Sequence, residues 1–519
     1  MTRRRAGALS VVGLVVLTGC VSTVHGTPSA RSTTPAAGPP SSSRTEPAAA
    51  AELELTDCTD SVDELLSGGP PPDRELTWEC GSLDVPLDHA DPDQGTVELA
   101  VVRGRLRGER DAVGALVINP GGPGGSGTDA ALNLAYVLPI QVVEGFDIVG
   151  FDPRGVNFSD PITCVNDEYK DELYGAEPYA RDDADFQLQV EIAETIAGDC
   201  FDRYGEDLGL FNTVNTARDM DRLRAALGED RLTYLGYSYG TTLGSTYAEL
   251  FPDRVRALVL DGATDPTLDD RGATEAQARG FEDAFAAFAA ACSAQPDCAA
   301  GADPVATVRQ VLDDARAEPL PADGDREVPV GLALIGVISA LYDEDEWPTL
   351  SAAIGSAADG DGSGLVVLAD RYTGRRPDGS YPNRLEANLS INCADTAETY
   401  SDEEIRAFIE ELRGKYPLFG APIATNLLTC DRWRTTRTPL PERDAAGAPP
   451  ILVIGTVNDP ATPYSGAQAM AGELDSAVLL TWQGEGHTAY PKTPCITQAV
   501  DAYLLRLTVP VDDSCPADS

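Results

Sequence analysis

The chain has 519 residues, 42% of them apolar and 6% aromatic, with a formal net charge of −46 at pH 7. That length and apolar content suffice for one large core with a substantial second unit and argue against a disordered chain. The carboxylate excess argues against nucleic acid as a partner, because phosphates would be repelled over the whole surface.

In chain order the first element is an address. Arg3, Arg4 and Arg5 form a positive n-region, residues 6–18 are an apolar stretch too short to span a bilayer comfortably, and Leu17-Thr18-Gly19-Cys20 follows. This resembles the bacterial lipoprotein signal, which implies removal of residues 1–19 and lipidation of the Cys20 sulfur. Residues 20–51, which include His25, are Ser, Thr, Pro, Ala and Gly with almost nothing to bury, and read as a flexible tether. The expected location is extracytoplasmic, anchored by lipid on a bacterial membrane or released from it.

Setting Cys20 aside leaves an even number of the 11 cysteines, which suits disulfides outside the cytoplasm. Pairing neighbours gives Cys58–Cys80, Cys164–Cys200, Cys292–Cys298, Cys393–Cys430 and Cys495–Cys515, although spacing alone does not fix connectivity. With no C-x-x-C and only three histidines, a zinc site is discounted, and no metal or cofactor is expected.

Residues 82–87 and 96–103 read as two early antiparallel strands joined by a turn-rich link. Apolar, β-branched runs at 115–119, 146–151, 232–235 and 257–260 then alternate with helical patterns, the rhythm of a parallel sheet with crossover helices. After Asp261 alanine-rich helical segments and acidic loops take over, and strands resume at 451–455 and 478–482. The expected class is α/β. Residues 52–262 and 449–519 form one mostly parallel core, and 263–448 are an inserted, mainly helical cap.

The sharpest motif is Gly236-Tyr237-Ser238-Tyr239-Gly240, between the apolar run 232–235 and a helical stretch from 241 to 251. A serine lifted onto a strand-to-helix corner exposes its hydroxyl, and the crowded positions two before and two after demand glycine. A nucleophile needs a base and an acid to orient that base. Of the histidines, His25 lies in the tether and His89 in a turn, so His487, in a loop following a strand, is the expected base. Asp459 ends the run 451–454 and is the expected acid, with Asp475 and Glu485 as the alternatives. The order Ser, Asp, His is that of α/β-hydrolases. The glycine-rich stretch 119–127 follows a strand and can turn N–H groups inward; Gly122 and Tyr239 are the expected oxyanion donors. It lacks a Walker lysine, and Pro123 interrupts any dinucleotide fingerprint.

Together these segments, with Gly150-Phe151-Asp152-Pro153-Arg154-Gly155 and Cys393-Ala394-Asp395, resemble the secreted tripeptidyl aminopeptidases, α/β-hydrolases related to proline iminopeptidases. Pro120 departs from the iminopeptidase pattern, where histidine usually precedes the two glycines. The resemblance implies the α/β-hydrolase fold, release of short peptides from free N-termini of peptides or proteins, and the same triad and oxyanion positions. A bound ammonium needs a carboxylate, for which Glu282, Asp283 and Asp395 are candidates. Asp152 and Arg154 read as an ion pair bracing their loop. The alternatives are a carboxylesterase or lipase on the same fold and a non-catalytic envelope-binding lipoprotein. Oligomeric state is not legible.

Overall fold

The computed structural model describes residues 53–66, 74–108 and 112–517; the expected signal segment, Cys20 and the tether lie outside them. Twelve strands occur among these residues: β1 Glu54–Asp57, β2 Leu76–Pro86, β3 Thr96–Leu106, β4 Gly114–Asn119, β5 Phe146–Phe151, β6 Leu232–Tyr237, β7 Val255–Asp261, β8 Leu320–Ala322, β9 Arg326–Val328, β10 Ile451–Asn458, β11 Ala477–Glu485 and β12 Ser514–Cys515. Ten of them make one sheet in the order β1-β2-β3-β5-β4-β6-β7-β10-β11-β12. The lead-in β1-β2-β3 and its junction with β5 are antiparallel, and every pairing from β5 to β12 is parallel.

The burial pattern follows from this topology. All six residues of β6 are buried, as expected for a strand covered by helices on both faces. β2 and β3 alternate between buried and more exposed positions. Strands β1 and β12 lie at the two edges and are too short to stand out in a hydrophobicity pattern; each lies beside a disulfide, Cys58–Cys80 and Cys495–Cys515. The remaining bonds are Cys164–Cys200, Cys292–Cys298 and Cys393–Cys430, so the structure joins nearest neighbours throughout.

Between β7 and β10 the chain is mainly helical, with one small antiparallel hairpin, β8-β9. Its core is an apolar cluster that includes Phe281, Phe285, Leu334, Ile409 and Phe419. The same cluster takes in Tyr179, Phe186, Val190 and Ala193, from the segment between β5 and β6. The helix Asp183–Tyr204 therefore belongs to the cap's packing, although chain order placed it with the core. No helix among the described residues is long and apolar enough to cross a membrane.

Candidate active site

The carboxyl ends of β4, β6, β10 and β11 converge on one edge of the sheet, where open α/β sheets carry their sites. Ser238 follows β6 directly and stands at the N-terminus of the helix Tyr239–Leu250 with φ +56° and ψ −123°. A non-glycine residue in that region costs on the order of 1–3 kcal/mol, and three bonds hold it there. Its N–H donates to the Asp261 carbonyl at 2.9 Å, and its own carbonyl accepts from the N–H and the hydroxyl of Thr241 at 2.8 and 2.7 Å. A Cβ on Gly236 would come within 2.4 Å of the Gly240 carbonyl oxygen, so the turn closes only with glycine there.

His487 follows β11 and is 1% exposed. Its Nδ1 lies 2.8 and 2.9 Å from the two carboxylate oxygens of Asp459. Asp459 is fixed in turn by the N–H groups of Ala461 and Thr462, at 2.9 and 2.8 Å, and by the Thr462 hydroxyl at 3.2 Å. With Nδ1 donating to a carboxylate, the neutral ring presents Nε2 as its acceptor. Nε2 is buried and has no hydrogen-bond partner among the described residues, Ser238 included. The corner Asp261-Gly262 borders both residues, Asp261 through the Ser238 N–H and Gly262 through the imidazole. A Cβ on Gly262 would lie 3.1 Å from Cε1 of His487. From the cap, the Tyr342 carbonyl accepts the His487 N–H at 2.8 Å, and its ring stands edge-on to the imidazole at 5.4 Å.

The glycine-rich loop lies against the serine corner. Gly121, at φ +94°, approaches so closely that a Cβ there would sit 2.9 Å from Ser238 Cβ and 3.1 Å from the Tyr239 nitrogen. Gly122 is the next residue, at φ +114°. Asp475 and Glu485 take no part in the arrangement, and Glu485 instead accepts from Asn458 at 2.6 Å.

Of the candidate amine-binding acids, two accept hydrogen bonds from the fold and the third is exposed. Glu282 accepts the N–H groups of Leu418 and Phe419 at 3.0 and 3.3 Å, which ties two cap segments together. Asp283 is on the exposed side of the helix Asp270–Ser293. Asp395 is buried and accepts from the N–H and hydroxyl of Thr213 at 3.0 and 2.6 Å. The same hydroxyl contacts the phenol of Tyr239. Burial pushes the Asp395 carboxyl up to about 7 against these bonds.

The expected pair of Asp152 and Arg154 does not form either. Asp152 accepts from Ser126, Thr128, Asn157 and Phe158, whereas Arg154 pairs with Asp219 through two bonds of 2.7 Å. Asp219 also receives His89, at 2.7 Å, which gives that histidine a structural place. Sequence reasoning missed Asp261, Thr462, Tyr342 and Thr213. Only Asp261, a carboxylate ending the apolar run 257–260, left a visible signal.

A cavity of about 290 Å³, largely apolar, lies within the cap. It reaches the site through intermediates. Asn388 lines it and donates to the Pro123 carbonyl at 3.0 Å. Phe281 and Tyr372 also line it, and their rings are 5.6 and 5.8 Å from that of Tyr342. Asp270 is the one carboxylate in the described lining and Arg384 the one cation. No cluster able to hold a metal ion occurs among the described residues.

A mostly parallel sheet whose strand ends carry a serine corner, a carboxylate-bound histidine and a glycine-rich loop defines an α/β-hydrolase, and residues 114–494 match the family described as the alpha/beta hydrolase fold. The chain belongs to that family and is a serine hydrolase. It is 38% identical over 523 residues to serine protease Hip1 of Mycobacterium tuberculosis, a match covering 97% of this chain and 95% of that protein. It is 34% identical over 450 residues to tripeptidyl aminopeptidase of Streptomyces coelicolor, covering 82% and 81% of the two chains. Carboxylesterase B of M. tuberculosis is likewise 34% identical over 450 residues, covering 84% and 85%.

Proposed function

We propose that the protein is an extracytoplasmic serine peptidase that releases short peptides from free N-termini through an acyl-enzyme on Ser238. His487 Nε2 takes the hydroxyl proton as Ser238 Oγ attacks the scissile carbonyl, and the N–H groups of Gly122 and Tyr239 receive the oxyanion. His487 then passes that proton to the leaving amine. Water, deprotonated by the same imidazole, cleaves the ester and returns the serine. Asp459 holds the ring's tautomer and steadies the imidazolium.

The observation that carries this reading is a histidine with Nδ1 committed to Asp459 and a buried Nε2 left without a partner among the described residues, on the same edge of the sheet as a serine held at φ +56°. The relatives named as a serine protease and a tripeptidyl aminopeptidase support peptide substrates, and a cap that roofs the edge of the sheet suits a short substrate segment. Asp270, the one carboxylate in the described lining of the cavity, is added to the three acids expected from sequence as an ammonium partner; its carboxylate also accepts from the Thr396 hydroxyl.

Esterase action is the second reading, favoured by the apolar lining and by the relative named carboxylesterase B. A tripeptide amide with a free N-terminus, its acetylated counterpart, and short and long acyl esters separate the two. Loss of the ammonium should lower kcat/KM by about a hundredfold or more, since one side of a charged pair is left buried. Equal cleavage of free and acetylated peptides, or faster cleavage of simple esters, refutes the exopeptidase reading.

Five disulfides and the lipoprotein-like leader support the location. Replacing Cys20 with alanine should move the protein from the detergent phase to the aqueous phase with catalysis intact; unchanged partitioning refutes the anchor.

A further inference from the structure

We propose that Arg384 anchors a carboxylate of the substrate, so that the enzyme favours peptides carrying Asp or Glu in the segment held under the cap. This rests on the peptidase reading above and adds a side-chain preference to it.

Arg384 opens the helix Arg384–Asp395, is 8% exposed and lines the cavity. Two other buried cations have their carboxylates in hydrogen-bond reach, whereas Arg443, which does not line the cavity, makes no such pair among the described residues. Arg154 grips Asp219 with two bonds, and Lys170 lies 2.9 Å from Glu386, two residues beyond Arg384 itself. Among the described residues the Arg384 guanidinium has no such partner. The groups that act on it are the phenols of Tyr174, Tyr372 and Tyr342. Burial keeps Tyr174 and Tyr342 protonated at neutral pH, so they supply no countercharge.

A guanidinium held out of water without an anion is costly, and burial lowers its proton affinity. A carboxylate entering the cavity removes that cost, and the planar fork can receive it through two parallel bonds. The arginine also stands on the right element. Its carbonyl lies 2.8 Å from where a Cβ on Gly124 would be, and Asn388, one turn on, holds Pro123. One helix thus joins the cationic wall of the cavity to the loop that carries Gly122. With Asp270 in the same lining, a peptide that has both an ammonium and an acidic side chain would meet a group of opposite charge for each.

The test uses tripeptide amides with free N-termini and Glu or its isostere Gln at each position in turn. In the wild type Glu should exceed Gln at one position by about tenfold to a hundredfold in kcat/KM, mostly through KM, as expected for a charged hydrogen-bonded contact. Arg384→Gln should bring that ratio to near one, and Arg384→Lys should retain part of it. A Glu to Gln ratio near one at every position in the wild type, or an undiminished ratio in Arg384→Gln, overturns the assignment. Should Arg384→Gln not fold, the wild-type ratios and Arg384→Lys still decide.

Labelling of Ser238 by a fluorophosphonate, run in parallel, reports on the serine independently of the cavity. If Ser238 is labelled yet no tripeptide is cleaved, the peptidase reading fails by itself. Calorimetric binding of the acidic and amide tripeptides to Ser238→Ala then decides on Arg384, with equal affinities overturning it.

Discussion

Asp261 holds Ser238 by its backbone and the histidine loop by its side chain. Its carbonyl accepts the Ser238 N–H at 2.9 Å, while its carboxylate accepts the N–H groups of Ala489 at 3.0 Å and Tyr490 at 2.8 Å. The loop so anchored begins two residues after His487. Ser238 and the loop after His487 are thereby referred to one point at the end of β7. Asp261→Ala would leave the N–H groups of Ala489 and Tyr490 buried without acceptors, at about 1–3 kcal/mol each. We expect a lower melting temperature and a kcat/KM reduced about tenfold or more, with Asp261→Asn milder because one acceptor oxygen remains. An Asp261→Ala variant with wild-type kcat/KM would show that the loop does not position the base.

Ser238→Ala should reduce kcat by about a thousandfold or more with an unchanged melting profile, because the hydroxyl sits at a corner and fills no core volume. Asp459→Asn should keep KM and lose most of kcat, since an amide cannot steady the imidazolium and favours the wrong tautomer. Single-turnover kinetics check both; residual activity above a few per cent in the alanine variant would remove Ser238 from its role.

Gly262 gives the imidazole its room. Its φ of +67° disfavours any side chain, and a methyl group would press on His487 Cε1 at 3.1 Å and Thr488 Cγ2 at 3.0 Å. Gly262→Ala should therefore cost about tenfold to a hundredfold in kcat, with KM nearly unchanged, because small misplacements of a base are expensive. Circular dichroism checks the fold, and a kcat equal to wild type would mean that the ring is free to shift.

The Asp395 carboxyl titrates at about 7 in the folded protein against a usual 3.8, chiefly because it is buried. The folded state then binds the proton more tightly than the unfolded chain. The contribution of this group to stability is therefore greatest below about pH 4, declines as pH rises, and is lost above about pH 7. Asp395→Asn cannot ionise. Its unfolding free energy relative to wild type, read from denaturant titrations, should rise between pH 5 and pH 8, by on the order of a few kcal/mol at most. A difference independent of pH would mean that Asp395 is ionised throughout.

The serine corner and the glycine loop were legible because each is a local backbone requirement that only glycine at fixed offsets can meet. Asp459 and His487 could be named from chain order and from the scarcity of histidine, and the structure places them 2.8 Å apart. The sheet was legible as buried apolar runs, except for the two edge strands of four and two residues. Side-chain partners chosen across long separations were not. Arg154 takes Asp219, 65 residues away, over Asp152 beside it, since the helix Thr213–Ala226 brings that carboxylate to the fork. Asp395 turns to Thr213, and Glu282 to a distant pair of N–H groups. A carboxylate's direction depends on the rotation of its helix against neighbours that no local pattern encodes.

The cap draws its cluster from two separate stretches of chain, one between β5 and β6 and one between β7 and β10. Residues 263–448 are thus not a cassette. Excising them would strip the cover from Tyr179, Phe186 and Val190, and a chimaera that exchanged this stretch alone with a relative would mate a foreign surface to the native helix Asp183–Tyr204. Transplanting specificity between members of the family requires moving both stretches together, with the bonds Cys164–Cys200 and Cys393–Cys430 setting where the seams can fall.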